Sequence, residues 1–395
     1  MAIRLERTIW PVGHGAFYTE QFKNDNNDVL FTAVYDCGSY QKNALQKSID
    51  EFLPKKGTLV IDALFISHFH ADHVNLLAYL LQQNVHVKDL FIPQLTDDYI
   101  LSLLISCSID TATNRNIVVA LIGLLYSGET FKNVENIYEV PSVNEDKTGD
   151  MTEYPADENI SRRKHKVAPV VLPYQLDSQI PFWVYIPYNI FASNALLKPA
   201  LIQGGYTTNG TDVDINKVFV DIQKNQWKKL QGVYGQVFSN DPNEYSMTVY
   251  SGRDMQASLK ICVRPYHFSC CGCDYPRCHC YGSHLLEQES GCLYTGDFMA
   301  KQHDVQLINF YNNKVHHDAW KNTRLMQIPH HGSYYNHKDT LYANHPKVTF
   351  ASTAVKDKDG HPHLQTLIDV SNKHCPIVIV QDNKATCLRV DYIIS

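Results

Sequence analysis

The segment Ser67–His73, "SHFHADH", places His68, His70, Asp72, His73 and the hydroxyl of Ser67 together directly after an apolar run. That run, "TLVIDALFIS" from Thr58 to Ser67, is rich in β-branched and aromatic residues and predicts a buried strand. Beyond it, Val74, Leu76, Leu77, Tyr79, Leu80 and Leu81 recur at helical spacing. Strand, short loop and helix therefore follow in order, and the ligand-type residues sit at the strand's carboxyl end, where sites of layered α/β folds gather. In an extended loop His68 and His70 point to one side and can share a metal, while Asp72 and His73, around the bend, can serve a second.

The chain has 395 residues, enough for a large core and for one domain with insertions. A net charge of -6 excludes a general attraction to phosphate backbones or anionic membrane surfaces, so any nucleic-acid contact must rest on local patches. No apolar stretch has the length of a membrane span, and the opening "MAIRLERTIWPVGHG" lacks the apolar core of a secretory signal. A cytoplasmic location without membrane attachment is the expectation. The 11 cysteines then read as thiols or metal ligands and not as a disulfide framework.

Along the chain, "IRLERTIWPVG" and "VLFTAVYDCGS" predict opening strands and "KNALQKSIDEFL" an amphipathic helix. From about Asp97 to Asn133 the pattern is helix, break, helix. Glu135 to Lys166 is polar and ends in "SRRKHK", which reads as an exposed insertion with a solvated basic face. "FWVYIPYNIF" resumes strand character, residues 211 to 232 suggest a further helix, and β signals return from Ser246. We expect one domain over residues 1–395, with insertions at about 97–170 and 205–232 and a Cys-rich loop at 267–284.

Three later strands repeat the arrangement of the first motif. "GCLYTGDFMA" ends at Asp297, "LMQIPHHGSYYNH" at His330, His331, Gly332 and Ser333, and "VTFASTAVKDKDGHPH" at His361 and His363. A histidine placed after the carboxylate of a metal site can donate to a phosphoryl oxygen or protonate a leaving alkoxide, because its ordinary pKa lies near working pH.

With "PVGHGAFYTE", "AVYDCGS", "HFHADH", "NEYSMTVYSG", "YTGDF", "PHHGS" and "DGHPH" in that order, the chain resembles the metallo-β-lactamase superfamily. The motif pattern is most similar to the branch with the hydrolase domains of DNA-uptake competence proteins and the phosphorylcholine esterases. The resemblance implies an α/β fold, an αβ/βα four-layer sandwich, here with the helical mid-chain insertion read above, and two divalent metals at the sheet edge, zinc before manganese. It implies His68 and His70 on the first metal, Asp72, His73 and His361 on the second, Asp297 as the bridge, and Asp36 steadying the metal loop by hydrogen bonding. Many relatives add a third histidine on the first metal; by position this chain offers Asn243, Glu244 and Tyr245 there, with His267 farther on. A water between two such ions loses its proton near neutral pH. Asp72 would orient that nucleophile, and His330 and His331 take the substrate-binding or acid roles, as the histidine pair does in related phosphodiesterases.

A separate cluster, "YHFSCCGCDYPRCHCYGSH", holds paired C-x-C units, Cys271 with Cys273 and Cys278 with Cys280. Four thiolates so close can close a tetrahedral structural zinc site, or remain as oxidation-prone thiols. The leading functional expectation is a metal-dependent phosphodiesterase or nuclease acting on a nucleic acid or nucleotide. The alternatives are a carboxylic ester, lactone or thioester hydrolase with the same metals, or a metal-binding subunit of a larger assembly that contacts a protein partner through the insertions.

Overall fold

The computed structural model describes residues 3–143, 153–154, 157–175, 182–190, 195–237, 246–254, 261–263, 267–268, 290–313 and 318–394. The first sheet opens with β1 (Ile3–Ile9), β2 (Gly15–Lys23), β3 (Val29–Ser39), β4 (Leu59–Phe65), β5 (Val85–Pro93), β6 (Val134–Val140) and β7 (Lys166–Val167). The second contains β8 (Leu172–Tyr174), β9 (Trp183–Tyr188) and β10 (Thr248–Arg253). The short β11 (Ile261–Val263) and β12 (His267–Phe268) return to the first sheet; β13 (Gly291–Tyr294), β14 (Thr323–Gln327), β15 (Val348–Ser352) and β16 (Ile377–Val380) complete the second. Finally β17 (Leu388–Ile394) closes on β1, giving the order β11-β17-β1-β2-β3-β4-β5-β6-β7 in one sheet and β16-β15-β14-β13-β10-β9-β8 in the other.

Period-two alternation sorts the side chains. Ala33 and Tyr35 of β3 enter the core between the sheets, where Trp183, Tyr294 and Phe350 meet them, while Val34 faces the outer helices with Leu45, Ile49 and Leu80. On the far side Leu307, Phe310 and Val370 cover the second sheet. Helix, sheet, sheet and helix thus stack as the α/β sandwich of metallo-β-lactamase type.

The parallel runs β3-β4-β5-β6 and β13-β14-β15-β16 bring their carboxyl ends to one edge. There the Met247 N–H donates to the Ser67 carbonyl at 2.7 Å and the His330 N–H to the Gly296 carbonyl at 2.9 Å, tying four loops together.

Three expectations change. The stretch 97–170 is not wholly an insertion, since Val134–Val140 is a buried strand of the first sheet. Nor is "SRRKHK" a solvated face throughout. Arg163 donates to both carboxylate oxygens of buried Glu139, at 2.8 and 2.7 Å, and His165 Nδ1 donates to the same group at 2.8 Å. A charge run read along the chain cannot show a carboxylate waiting 24 positions earlier. The predicted helix after His73 is two short ones, Ala71–Val74 and Leu77–Gln82. Asn75 at the break accepts from the Ser39 N–H at 3.1 Å and donates to the Ser39 carbonyl at 2.8 Å, pinning the metal loop to β3.

A buried polar knot joins the sheets. Arg7 Nε donates to Glu20 Oε1 at 2.6 Å, and Glu20 also accepts from Tyr185, Tyr294 and Ser251 at 2.8, 2.8 and 2.7 Å. Removing one partner strands a buried charge. Glu20→Ala is therefore expected to cost about 3–5 kcal/mol, read in urea unfolding; a loss within ordinary surface-mutation scatter would show that the knot is not what ties the sheets.

Candidate metal centre

Asp36, fully buried near the end of β3 with φ 58°, begins the site. Its Oδ1 accepts from the Ser67 N–H at 2.7 Å, and its Oδ2 accepts from Ser67 Oγ and from His73 Nδ1, each at 2.7 Å. Because Ser67 Oγ is committed to Asp36, it accepts from His68 Nδ1 at 3.0 Å. His331 Nδ1 donates to the Ser352 carbonyl at 2.8 Å. Three imidazoles thus have Nδ1 fixed as the donor, and each turns Nε2 inward as a lone pair.

Those lone pairs converge on carboxylates. His73 Nε2 lies 3.1 Å from Asp297 Oδ1 and 3.6 Å from Asp72 Oδ2. His331 Nε2 lies 3.2 Å from Asp72 Oδ2 and 3.6 Å from Asp297 Oδ1. His68 Nε2 is 3.1 Å from His70 Nδ1 and 3.6 Å from Asp297 Oδ2. The result is two donor clusters within metal-binding reach, His68–His70–Asp297 and Asp72–His73–Asp297–His331, with Asp297 common to both. His73 Nε2 and Asp297 Oδ1 are buried without a hydrogen-bond partner. Lone pairs facing carboxylates repel unless a cation or proton lies between them, so these residues fit two divalent ions.

The field at the site says the same. Burial alone would lower His73, but Asp297, Asp72 and Asp36 hold its pKa well above the ordinary value. His331 is raised against its burial by Asp297 and Asp72. Burial pushes His68 well below its ordinary value and lowers His70. Asp297 stays well below the usual carboxylate range despite burial because His330, His73 and His331 surround it. The cluster attracts positive charge most strongly where the second set of donors meets.

Backbone shape makes this crowding feasible. A Cβ at Gly38 would fall 2.3 Å from the His73 carbonyl carbon, so β3 can approach the metal loop only through a glycine. Gly332, at φ 87°, has Pro362 where a Cβ would be, 2.4 Å away, and lets the His330–His331 turn pack against the loop that carries His361.

The sequence-identified residues separate into three groups. His68, His70, Asp72, His73, Asp297 and Asp36 lie together at the sheet edge. His331 stands among the second set of donors, the place the resemblance implied for His361. His361 instead lies with His14, Asp357 and Asp359 in an adjacent cluster, its pKa pushed by burial and neighbouring histidines down to about 3. His330 keeps Nε2 3.6 Å from Asp297 Oδ2, with its side chain 13% exposed. Asn243 and the cysteines Cys271, Cys273, Cys278 and Cys280 lie outside the described residues. His14 and Asp357 were not identified from sequence. The signal that could have found His14 is Gly-His-Gly between two strands, a turn that aims a side chain at the sheet edge.

Asp36→Asn is expected to weaken metal binding by about 10–100-fold while the protein stays folded. An amide group would face the Ser67 and His73 donors that the carboxylate now accepts. Competition against a chromophoric chelator measures this; unchanged affinity would show that the loop needs no such support.

Fold and donors together give an α/β sandwich of metallo-β-lactamase type whose sheet edge gathers histidines and aspartates able to hold metal ions. The family model described as "Metallo-beta-lactamase superfamily" matches residues 30–91, which span β3, β4 and the HFHADH loop. Comparison with curated proteins gave no match. Among solved structures, the long form of RNase Z from yeast is similar over 83% of this chain, at 6% identity and a TM-score of 0.31; this chain spans 32% of its length. Unliganded yeast PDE1 is similar over the whole of both chains, at 11% identity and a TM-score of 0.35. No described helix is long and apolar enough to cross a membrane.

Proposed function

We propose that the protein is a dinuclear metal-dependent phosphodiesterase acting on a nucleotide or nucleic-acid phosphodiester. The observation that carries this reading is His330. It is a partly exposed imidazole bordering Asp297, the carboxylate shared by both donor clusters, whereas its neighbour His331 has both ring nitrogens committed inside the second cluster.

His68, His70 and Asp297 would hold one ion and Asp72, His73, Asp297 and His331 the other. Divalent ions bound there would supply a nucleophile at neutral pH and neutralise charge on the scissile group. Asp36 and Ser67 hold the imidazoles in the tautomer that offers Nε2. His330 donates to a phosphoryl oxygen or to the leaving alkoxide. Tyr334 and Tyr335, 44% and 67% exposed just beyond this turn, offer faces on which a base stacks. Zinc suits the imidazole-rich donors and manganese the carboxylates. Within the superfamily, the motif order supports the branch of competence-protein hydrolase domains and phosphorylcholine esterases, and a cytoplasmic setting remains our reading.

Chromogenic phosphodiesters, lactones, and labelled single-stranded and duplex DNA and RNA, each assayed with zinc and with manganese, test the proposal. Phosphodiester turnover well above lactone turnover is expected. Faster lactone or ester turnover would replace it with a carboxylic-ester hydrolase.

A further inference from the structure

We propose that His14, Asp357, Asp359 and His361 form a third divalent-cation site beside the two-metal centre. Each of these four residues offers a donor atom within 4.8 Å of the others. The set comes from distant parts of the chain: His14 lies between β1 and β2, and the other three follow β15.

Part of the cluster has a structural explanation. Asp357 Oδ1 accepts from the Asp359 and His361 N–H groups at 3.0 and 3.1 Å, while Oδ2 accepts from Thr353 Oγ1 at 3.3 Å and faces His14 Nδ1 at 2.5 Å, two donor atoms that a cation would share. Those bonds shape the loop and leave His361 unaccounted for. Its side chain is 7% exposed, its Nδ1 lies 3.9 Å from Asp357 Oδ1, and that nitrogen is buried without a hydrogen-bond partner. A buried imidazole nitrogen aimed at a carboxylate and left unsatisfied is costly unless something fills the gap. Asp359, at the exposed side, keeps an entry path open.

Two imidazoles and two carboxylates suit zinc or manganese. The site adjoins the reaction centre, since His14 Nε2 is 3.5 Å from Asp72 Oδ2 and the His361 ring lies 5.6 Å from that of His330. A cation there would add positive charge beside the histidine proposed to meet substrate, and so favour a substrate carrying a further negative oxygen. The site stands on its own donors, whichever ester class the main centre cleaves.

The test uses the full chain, stripped of metal and reloaded with manganese, which the cysteine cluster disfavours because thiolates select softer ions. Bound manganese is counted by equilibrium dialysis with elemental analysis for the wild type, Asp359→Asn and His361→Ala, with circular dichroism to confirm the fold. Asp359→Asn is included because an exposed carboxylate can be neutralised without disturbing the core. Both variants are expected to bind one ion fewer than the wild type and to keep the tighter ions at wild-type affinity. Equal ion counts in all three proteins would overturn the proposal. So would a folded His361→Ala that loses a tightly held ion, because His361 would then belong to the main pair.

Discussion

Asp297→Ala is expected to bind neither ion of the main pair at wild-type affinity and to lose about 10³-fold or more in turnover, since polarisation by bound metal is worth several kcal/mol. Asp297 is the only residue common to the two main donor clusters found among the described residues. Its Oδ1 faces His73 and its Oδ2 faces His68, so one truncation removes a donor from each set and the charge that links them. The fold should survive. Asp36 and Ser67 still anchor the loop to β3, and circular dichroism checks that the fold is kept. Elemental analysis and rate are read on the same preparation; a folded variant that keeps its rate would show that the clusters are not catalytic.

His330→Ala carries the second large effect. It is expected to cut phosphodiester turnover by roughly 10²- to 10⁴-fold, the usual cost of losing a positioned acid or charge-stabilising donor. Metal content should stay constant, because His330 is in neither main cluster. A lactone with a good leaving group should lose far less, as bound metal already polarises its carbonyl. Equal, small losses on both substrates would remove the reason for preferring phosphodiester chemistry. Parallel loss of metal and activity would reassign His330 as a ligand.

Much of this site could be read from the chain because its parts are short and local. HFHADH is six consecutive residues just beyond the end of β4, so spacing alone predicted that His68 and His70 share a side, and their ring nitrogens approach to 3.1 Å. Asp297 was legible for a similar reason, as the first acidic residue beyond an apolar strand. Which histidine completes the second donor set was harder. His331 and His361 both follow parallel strands, and the choice depends on a turn with positive φ at His330, His331 and Gly332, which swings His331 toward Asp72. No periodicity encodes that turn. His14 and Asp357, 343 positions apart, meet only because the turn between β1 and β2 and the loop after β15 lie at one edge of the sandwich. Glu139 illustrates the same limit in the fold: the polarity of residues 135–166 suggested solvent, whereas pairing with Arg163 and His165 lets that carboxylate be buried.

Hydrolysis by this chain is proposed to run on divalent metal held at its own two donor clusters. The most direct measurement strips the purified protein with a chelator, verifies the metal content, and follows hydrolysis of a chromogenic phosphodiester as zinc or manganese is returned. No turnover is expected in the stripped protein, with recovery that rises with occupancy of the main pair. A stripped protein at full rate would contradict it.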